Sequence, residues 1–271
     1  MAQVRAGDVR LHYEETGEGE PLVLVHGSWN DHRSWRPAIA ADLRAAFRVV
    51  AYDRRGHGRS ESPPGPGSRR QDEDDLAALI EVLGLGPAHV AGNSFGASIA
   101  AGLAARRPGL FRSLVLHEPP LPALVRDDPA AQAVLRPVAG TVGEVLALLR
   151  EGRDAAGARL FVEGVALGPG GWETLPEEVQ DTFVSHAQTW RDEQEDPGWA
   201  ALDLGALGAC TAPVLLSRGS ESPQWFAAVL DRLAAALPTA RRHTYEGAGH
   251  TPHLTHPREY ADLVTGFCHG A

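Results

Sequence analysis

Read for the alternation of apolar and polar positions, the chain opens as a hairpin and then settles into a repeating rhythm of short apolar runs and helical periods. Residues 4–15 alternate around Gly7-Asp8, a turn pair that reverses the chain into two antiparallel strands. Unbroken apolar runs follow at 22–25, 48–52, 88–91, 113–116 and 214–217, each of the kind a strand covered on both faces produces. Helical patterns fill the spaces between them. Residues 74–83 carry apolar side chains at 76, 79, 80 and 83 and stop at Gly84; 95–106 is rich in Ala and Gly; 223–237 and 256–267 close the series. Such alternation predicts a mostly parallel α/β sheet with helices on both faces.

The rhythm breaks over residues 121–212. Only helical patterns occur there, at 129–139, 143–151, 155–166 and 176–195, separated by Pro, Gly and acidic residues. The expected organisation is a core made of 1–120 and 213–271, with an all-helical cap, 121–212, inserted over the C-terminal edge of the sheet.

Composition narrows the chemistry. The 271 residues are 43% apolar and 22% charged, which suits one large domain with an inserted module and excludes disorder. With 25 basic against 35 acidic side chains the net charge is −10, which weighs against nucleic acid and anionic membranes as partners. Every basic residue is Arg. Without Lys, a lysine Schiff base, a pyridoxal-phosphate anchor and a Walker-type phosphate loop are excluded. Cys210 and Cys268 are isolated and match no metal or disulfide framework; no signal-like stretch occupies residues 1–19, and no run approaches a membrane span. A cytoplasmic location and a small-molecule substrate are the expectation.

The chemistry-bearing motif is Gly92-Asn93-Ser94-Phe95-Gly96, a G-x-S-x-G directly after an apolar run and directly before a helical pattern. There the turn must be sharp, the small residues at 92 and 96 relieve the clash, and the serine hydroxyl is lifted above the strand end. A serine hydroxyl needs a base, and Gly247-Ala-Gly-His250 supplies one on a flexible loop near the chain end. His253 and His256 follow at three-residue steps, but Pro252 and Pro257 spoil a common face, so no metal and no cofactor is expected. For an oxyanion, the backbone amides of Phe95 and of Ser28, in His26-Gly27-Ser28-Trp29, are the expected donors. Trp29 is expected at the substrate, with packing at the cap boundary the alternative for it and for Trp35.

These residues, with Asp53-Arg-Arg-Gly-His-Gly-Arg-Ser60, stand in the order and spacing of the α/β-hydrolase superfamily, which the chain resembles over nearly its whole length. The resemblance implies an α/β-hydrolase fold with a mostly parallel eight-stranded sheet, a helical cap between strands six and seven, and a Ser–acid–His triad. The segment 53–60 reads as a structural loop beside the site. One departure stands out. Members of the superfamily usually carry Asp three residues past a Gly after strand seven, but here Gly219-Ser-Glu-Ser222 places a serine there. Two substitutes are open: Glu221, and Glu118 after strand six, the position used by certain haloalkane dehalogenases. Glu118 is preferred. A serine nucleophile directs the chemistry to acyl transfer on an ester, lactone, thioester or amide, since an alkylated serine would be a dead-end ether. Carbon–carbon hydrolysis of dienoates, whose enzymes have a similar elbow, and a non-hydrolytic enzyme or ligand receptor remain as alternatives.

Overall fold

The computed structural model describes residues 2–237 and 239–270. Its strands are β1 (Ala2–Ala6), β2 (Val9–Thr16), β3 (Pro21–Val25), β4 (Arg48–Tyr52), β5 (Ala88–Asn93), β6 (Phe111–His117), β7 (Val214–Gly219) and β8 (Arg241–Tyr245). The principal helices are α1 (Arg69–Val82), α2 (Phe95–Arg106), α3 (Pro129–Arg150), α4 (Asp154–Phe161), α5 (Glu177–Ser185), α6 (Ala187–Glu195), α7 (Trp225–Ala236) and α8 (Pro257–His269). One eight-stranded sheet runs in the order β1-β2-β4-β3-β5-β6-β7-β8. The hairpin and the β2–β4 pair are antiparallel, and the remaining pairs are parallel.

The apolar runs are strands because both of their faces are covered, and the pleat sorts their side chains. Val23, Val25, Val50, Tyr52, Leu114 and Leu116 pack with Leu76, Ile80, Ile99 and Val229 of α1, α2 and α7. Leu22, Leu24, Val49, Ala51 and Val115 face the other way, onto Trp35, Leu43, Phe47, Tyr260 and Val264. This period-two division makes one sheet serve two apolar layers, each fully buried large side chain contributing about 1.5–3 kcal/mol. The helical stretch between β3 and β4 has no counterpart in the sequence pattern. It is short and broken at Asp42, whose φ is +108°, and so lacks a readable period.

Between β6 and β7 the described residues form helices and no strand. Two of the expected boundaries there are corrected. The patterns 129–139 and 143–151 are one 22-residue helix, α3, which runs through Pro137 and two glycines. It is held at both ends: the Asp128 side chain accepts from the amides of Ala130 and Ala131, and Val145 and Leu149 are buried in the cap. Conversely, 176–195 divides at His186 into α5 and α6, and that imidazole turns to accept the amide of Gly58 at 3.0 Å. Once continuous, α3 is long and apolar enough to cross a membrane by length and composition, which corrects the expectation that no run approaches a span. Val145 and Leu149 fasten it to the cap cluster, while most of its length is exposed or half-buried.

Candidate active site

Parallel strands end together, so the loops following β3, β5, β6, β7 and β8 gather at one edge of the sheet, and the candidate residues lie on them. β5 ends at Asn93, and Ser94 turns the chain into α2 with φ +55° and ψ −123°, a left-handed conformation unfavourable for a side chain. The two glycines make that turn possible. A Cβ at Gly92 would stand 2.6 Å from the Ala97 amide nitrogen, and one at Gly96 2.1 Å from the Val25 carbonyl oxygen. The Ser94 amide donates to His117 O at 2.9 Å, stitching the elbow to the end of β6. Phe95 opens α2, so its N–H has no acceptor one turn back and points from the positive end of the helix.

Glu118 directly follows β6. It is fully buried with φ +45°. One carboxylate oxygen lies 2.5 Å from His250 Nδ1, and the other accepts the Gly219 amide, at the end of β7, at 2.8 Å. Burial pushes this carboxyl's pKa up, but the hydrogen bond and charge of His250, then the neighbouring His117, more than offset it and hold the pKa below the usual value. An ionised carboxylate only accepts, so the proton of the pair resides on Nδ1 and Nε2 keeps its lone pair. Phe226 stacks on the His250 ring at 5.0 Å, and the Asn93 side chain donates to His250 O at 2.9 Å, tying the loop to the elbow. A Cβ at Gly219 would meet Ala248 O at 2.2 Å, so that glycine is what lets the histidine loop lie across β7.

The alternative acid sits elsewhere. Glu221 is exposed, and its amide donates to Ala248 O at 3.0 Å. Ser222, at the position where an Asp is usual, is buried. The other histidines are also sorted. His253 is buried against Trp35 at 4.3 Å, and burial holds its pKa well below the ordinary value; His256 bonds Thr255 at 2.9 Å. His253→Ala is therefore expected to lower the melting temperature while kcat stays within about threefold, whereas His250→Ala removes turnover. Thermal unfolding and kinetics on the two variants check this contrast.

The loop after β3 lies on the elbow. A Cβ at Gly27 would be 3.0 Å from Ser94 Cβ, which places the next amide, that of Ser28, beside the serine. His26 Nδ1 donates to Gly27 O at 2.8 Å, and its Nε2 accepts the Arg54 amide at 3.1 Å. Burial, then the charge of Arg54, pushes the His26 pKa down to about 3, so the ring is a neutral bridge between the β3 and β4 loops. For Trp29, of the two readings left open, the geometry shows packing at the cap boundary. The residue is 1% exposed and its ring lies 5.0 Å from Phe161, 5.1 Å from Trp190 and 5.8 Å from Phe183, which leaves no face for a ligand.

Segment 53–60 is structural at its first residue. Asp53 accepts from His32 N at 2.8 Å, His32 Nδ1 at 2.6 Å and Arg59 N at 2.9 Å. Burial opposes ionisation, but these bonds bring its pKa down to about 2. The sequence reading missed the next residue. Arg54, 1% exposed, places Nη2 2.5 Å from Glu193 of α6 and 3.3 Å from Gly27 O, and Nη1 3.1 Å from Asp72. Its guanidinium lies over the Phe95 ring at 5.1 Å. The other Glu193 oxygen accepts the Ser28 hydroxyl at 2.5 Å. The arginine was visible beside Asp53; the glutamate, within an acidic helix, carried no signal.

Among the described residues, three groups bring His and carboxylate ligand atoms within 4.8 Å of one another: His117–Glu118–His250, His12–Glu14–His32 and Asp31–His32–Asp53. In the last two, His32 is shared, bonded by Asp53 at 2.6 Å and facing Glu14 at 3.2 Å. Burial lowers its pKa and these carboxylates raise it further, so the net shift is upward, as for an imidazolium ion pair.

The alpha/beta hydrolase family matches the chain over residues 22–263. "Putative carbamate hydrolase RutD" of Azorhizobium caulinodans is 28% identical over 278 residues, 99% of this chain and 98% of that protein. A 2-hydroxy-6-oxononadienedioate/2-hydroxy-6-oxononatrienedioate hydrolase of Burkholderia vietnamiensis is 38% identical over 114 residues, 40% of each chain. Among solved structures, an alpha/beta hydrolase from Sphaerobacter thermophilus is similar with a TM-score of 0.79 and 29% identity, over 98% of this chain and 99% of its own.

Proposed function

Since the chain belongs to the alpha/beta hydrolase family, we propose that it cleaves a small-molecule ester, lactone or thioester by acyl transfer to Ser94, with His250 as base and Glu118 as the acid that orients it. The observation that carries this reading is the 2.5 Å contact between the Glu118 carboxylate and His250 Nδ1, on loops tied to the serine elbow by Ser94 N and the Asn93 side chain.

The steps follow from those positions. His250 Nε2 takes the Ser94 proton as Oγ attacks the acyl carbon, and the new positive charge on the imidazole is neutralised by Glu118 through Nδ1–H. Negative charge on the carbonyl oxygen develops against the amides of Phe95 and Ser28, with the N-terminus of α2 behind them. The protonated His250 then gives its proton to the departing alkoxide or thiolate. A water, deprotonated by the same nitrogen, releases the acid.

Ser94→Ala is expected to abolish turnover of nitrophenyl acyl esters while leaving the circular dichroism unchanged. A serine-directed phosphonate should add one adduct mass, on the peptide holding Ser94. An adduct on another serine, or full activity in Ser94→Ala, would overturn the assignment. The local identity to the dienedioate hydrolase favours a second reading, carbon–carbon hydrolysis in the same pocket. Loss of colour of a dienoate substrate, without turnover of acyl esters, would select it.

A further inference from the structure

We infer that Glu193, on cap helix α6, is a positioning residue for the oxyanion loop: its carboxylate holds the Ser28 hydroxyl and the Arg54 guanidinium at once, so the loop keeps its working shape only while the cap is docked. This rests on the acyl-transfer reading above, in which the Ser28 amide is an oxyanion donor.

The contacts cross the whole fold. Glu193 is 165 residues from Ser28 and 139 from Arg54, yet each carboxylate oxygen lies 2.5 Å from one of them. The charged pair is enclosed, with Arg54 1% exposed and Glu193 5%, while Ser28 is half-buried. A buried carboxylate so placed is stable only with its partners, while Arg54 keeps Asp72 as a second carboxylate at 3.1 Å. The loop it holds is not relaxed. Trp29 has φ +62°, a left-handed conformation a tryptophan keeps only when its surroundings over-determine it. Those surroundings are again the cap, since Trp29 packs on Phe161 of α4 and Trp190 of α6. Two side chains in succession, Ser28 by hydrogen bond and Trp29 by packing, thus fasten the loop to the same helix.

The consequence reaches the chemistry through Gly27. Its backbone lies against Ser94, with no room for a Cβ beyond 3.0 Å from the serine's own. Arg54 adds a second tie, since Nη2 also donates to Gly27 O and the guanidinium covers the Phe95 ring, beside the other donor. Releasing Glu193 frees both ends of this bracket, and the Ser28 amide shifts relative to the nucleophile. A displacement of about an ångström in such a group costs up to roughly 10² in rate.

The test compares full-length wild type with Glu193→Gln, Ser28→Ala and the double variant, at a temperature where circular dichroism shows the protein folded. Gln loses the charge that pairs with Arg54, and it keeps Ser28 only by reversing that hydrogen bond, its amino group donating to the hydroxyl oxygen. Ala at position 28 keeps the amide and leaves the Arg54–Glu193 pair intact, so it decides the matter even if the Glu193 variant fails to fold. Turnover of p-nitrophenyl acetate gives kcat and KM, and the rate of Ser94 labelling by a phosphonate reports the same site if the ester is a poor substrate. Each single variant is expected to lose about 10- to 100-fold in kcat or labelling rate, with KM within about threefold, and the double variant to be no worse than the weaker single.

A fall in melting temperature with kcat unchanged would reduce Glu193 to a cap fastener and overturn the inference. So would a rise in KM alone, which would mean substrate contact. An active wild type with equally active variants sinks the inference and leaves the acyl-transfer reading standing. A wild type that neither turns over the ester nor is labelled at Ser94 sinks both.

Discussion

Glu118→Gln is expected to lower kcat on the order of 10⁴-fold, the scale of an acid-to-amide change in a serine protease triad, while Glu221→Gln changes it by less than about threefold. The reason lies in how many acceptors the site requires. Glu118 uses one oxygen for His250 Nδ1 and the other for the Gly219 amide. A glutamine there has one acceptor oxygen and one amino group. If its oxygen stays with Gly219, the amino group faces Nδ1 and forces the proton onto Nε2, the wrong tautomer for a base. If its oxygen faces Nδ1, an amide hydrogen is driven against the Gly219 N–H. In either arrangement the negative charge that balances a protonated imidazole is gone. Glu221 is exposed and makes no side-chain contact with the histidine among the described residues. Steady-state kinetics of both variants on one substrate ranks them. The opposite order would remove Glu118 from the mechanism, and two mild effects would remove both glutamates.

Acid unfolding is the second large effect. Stability should fall by roughly 3–4 kcal/mol per pH unit below about pH 6, at its steepest, because seven buried histidines have their pKa lowered by burial, four of them far below the ordinary value. Burial holds His26 and His117 down to about 3, and His57 and His253 well below the ordinary value. For His57, burial is reinforced by the Arg54 guanidinium, 3.1 Å from Nε2, where a second positive charge would be repelled. Between their native pKa values and the unfolded value of about 6.5, the unfolded chain binds more protons, so lowering the pH favours unfolding by about 1.4 kcal/mol per unit for each histidine.

Four groups oppose this: burial raises the Asp72, Glu73 and Asp75 carboxyls, and the carboxylates around His32 raise that imidazole. Burial raises the Asp72 carboxyl to about 7, so between that value and the ordinary aspartate range the native state binds the extra proton and gains stability as the pH falls. The smaller downward shifts of His12, His89 and His186 stand against these four, so the histidines keep the larger share. Glu118 and Asp53, whose native pKa values are depressed, add their own losses only at lower pH, as it falls through those values. Urea midpoints measured from pH 8 to pH 5 test the slope. A flat profile between pH 7 and pH 5.5 would mean that these rings already carry protons in the fold.

What the sequence determined by itself is what depends on neighbours along the chain. The pleat alternation of β3, β4 and β6 is local, and so is half of the elbow: the clash that demands Gly92 lies within the turn, whereas the one that demands Gly96 is with the end of β3, and a motif of five residues records both. The division into a sheet interrupted by helices was legible for the same reason, since a change of period needs no tertiary partner. Helix ends in the cap were not. Residues 140–142 read as a break along the chain, yet α3 continues through them because Val145 and Leu149 are packed farther on, and His186 ends α5 because its ring has a partner on the β4 loop. The two glutamates near the strand ends could not be ranked from the chain either. Sheet order decides which strand end adjoins the histidine loop, and a φ of +45° at Glu118 decides where that side chain goes. Trp29 and Glu193 lie farthest from what a sequence records. An aromatic after His-Gly and an acid on a polar helix have the same local signature whether they meet substrate, solvent or each other's loop. Only the docking of the cap, which brings residues 165 positions apart to 2.5 Å, turns one into packing and the other into a buried tie.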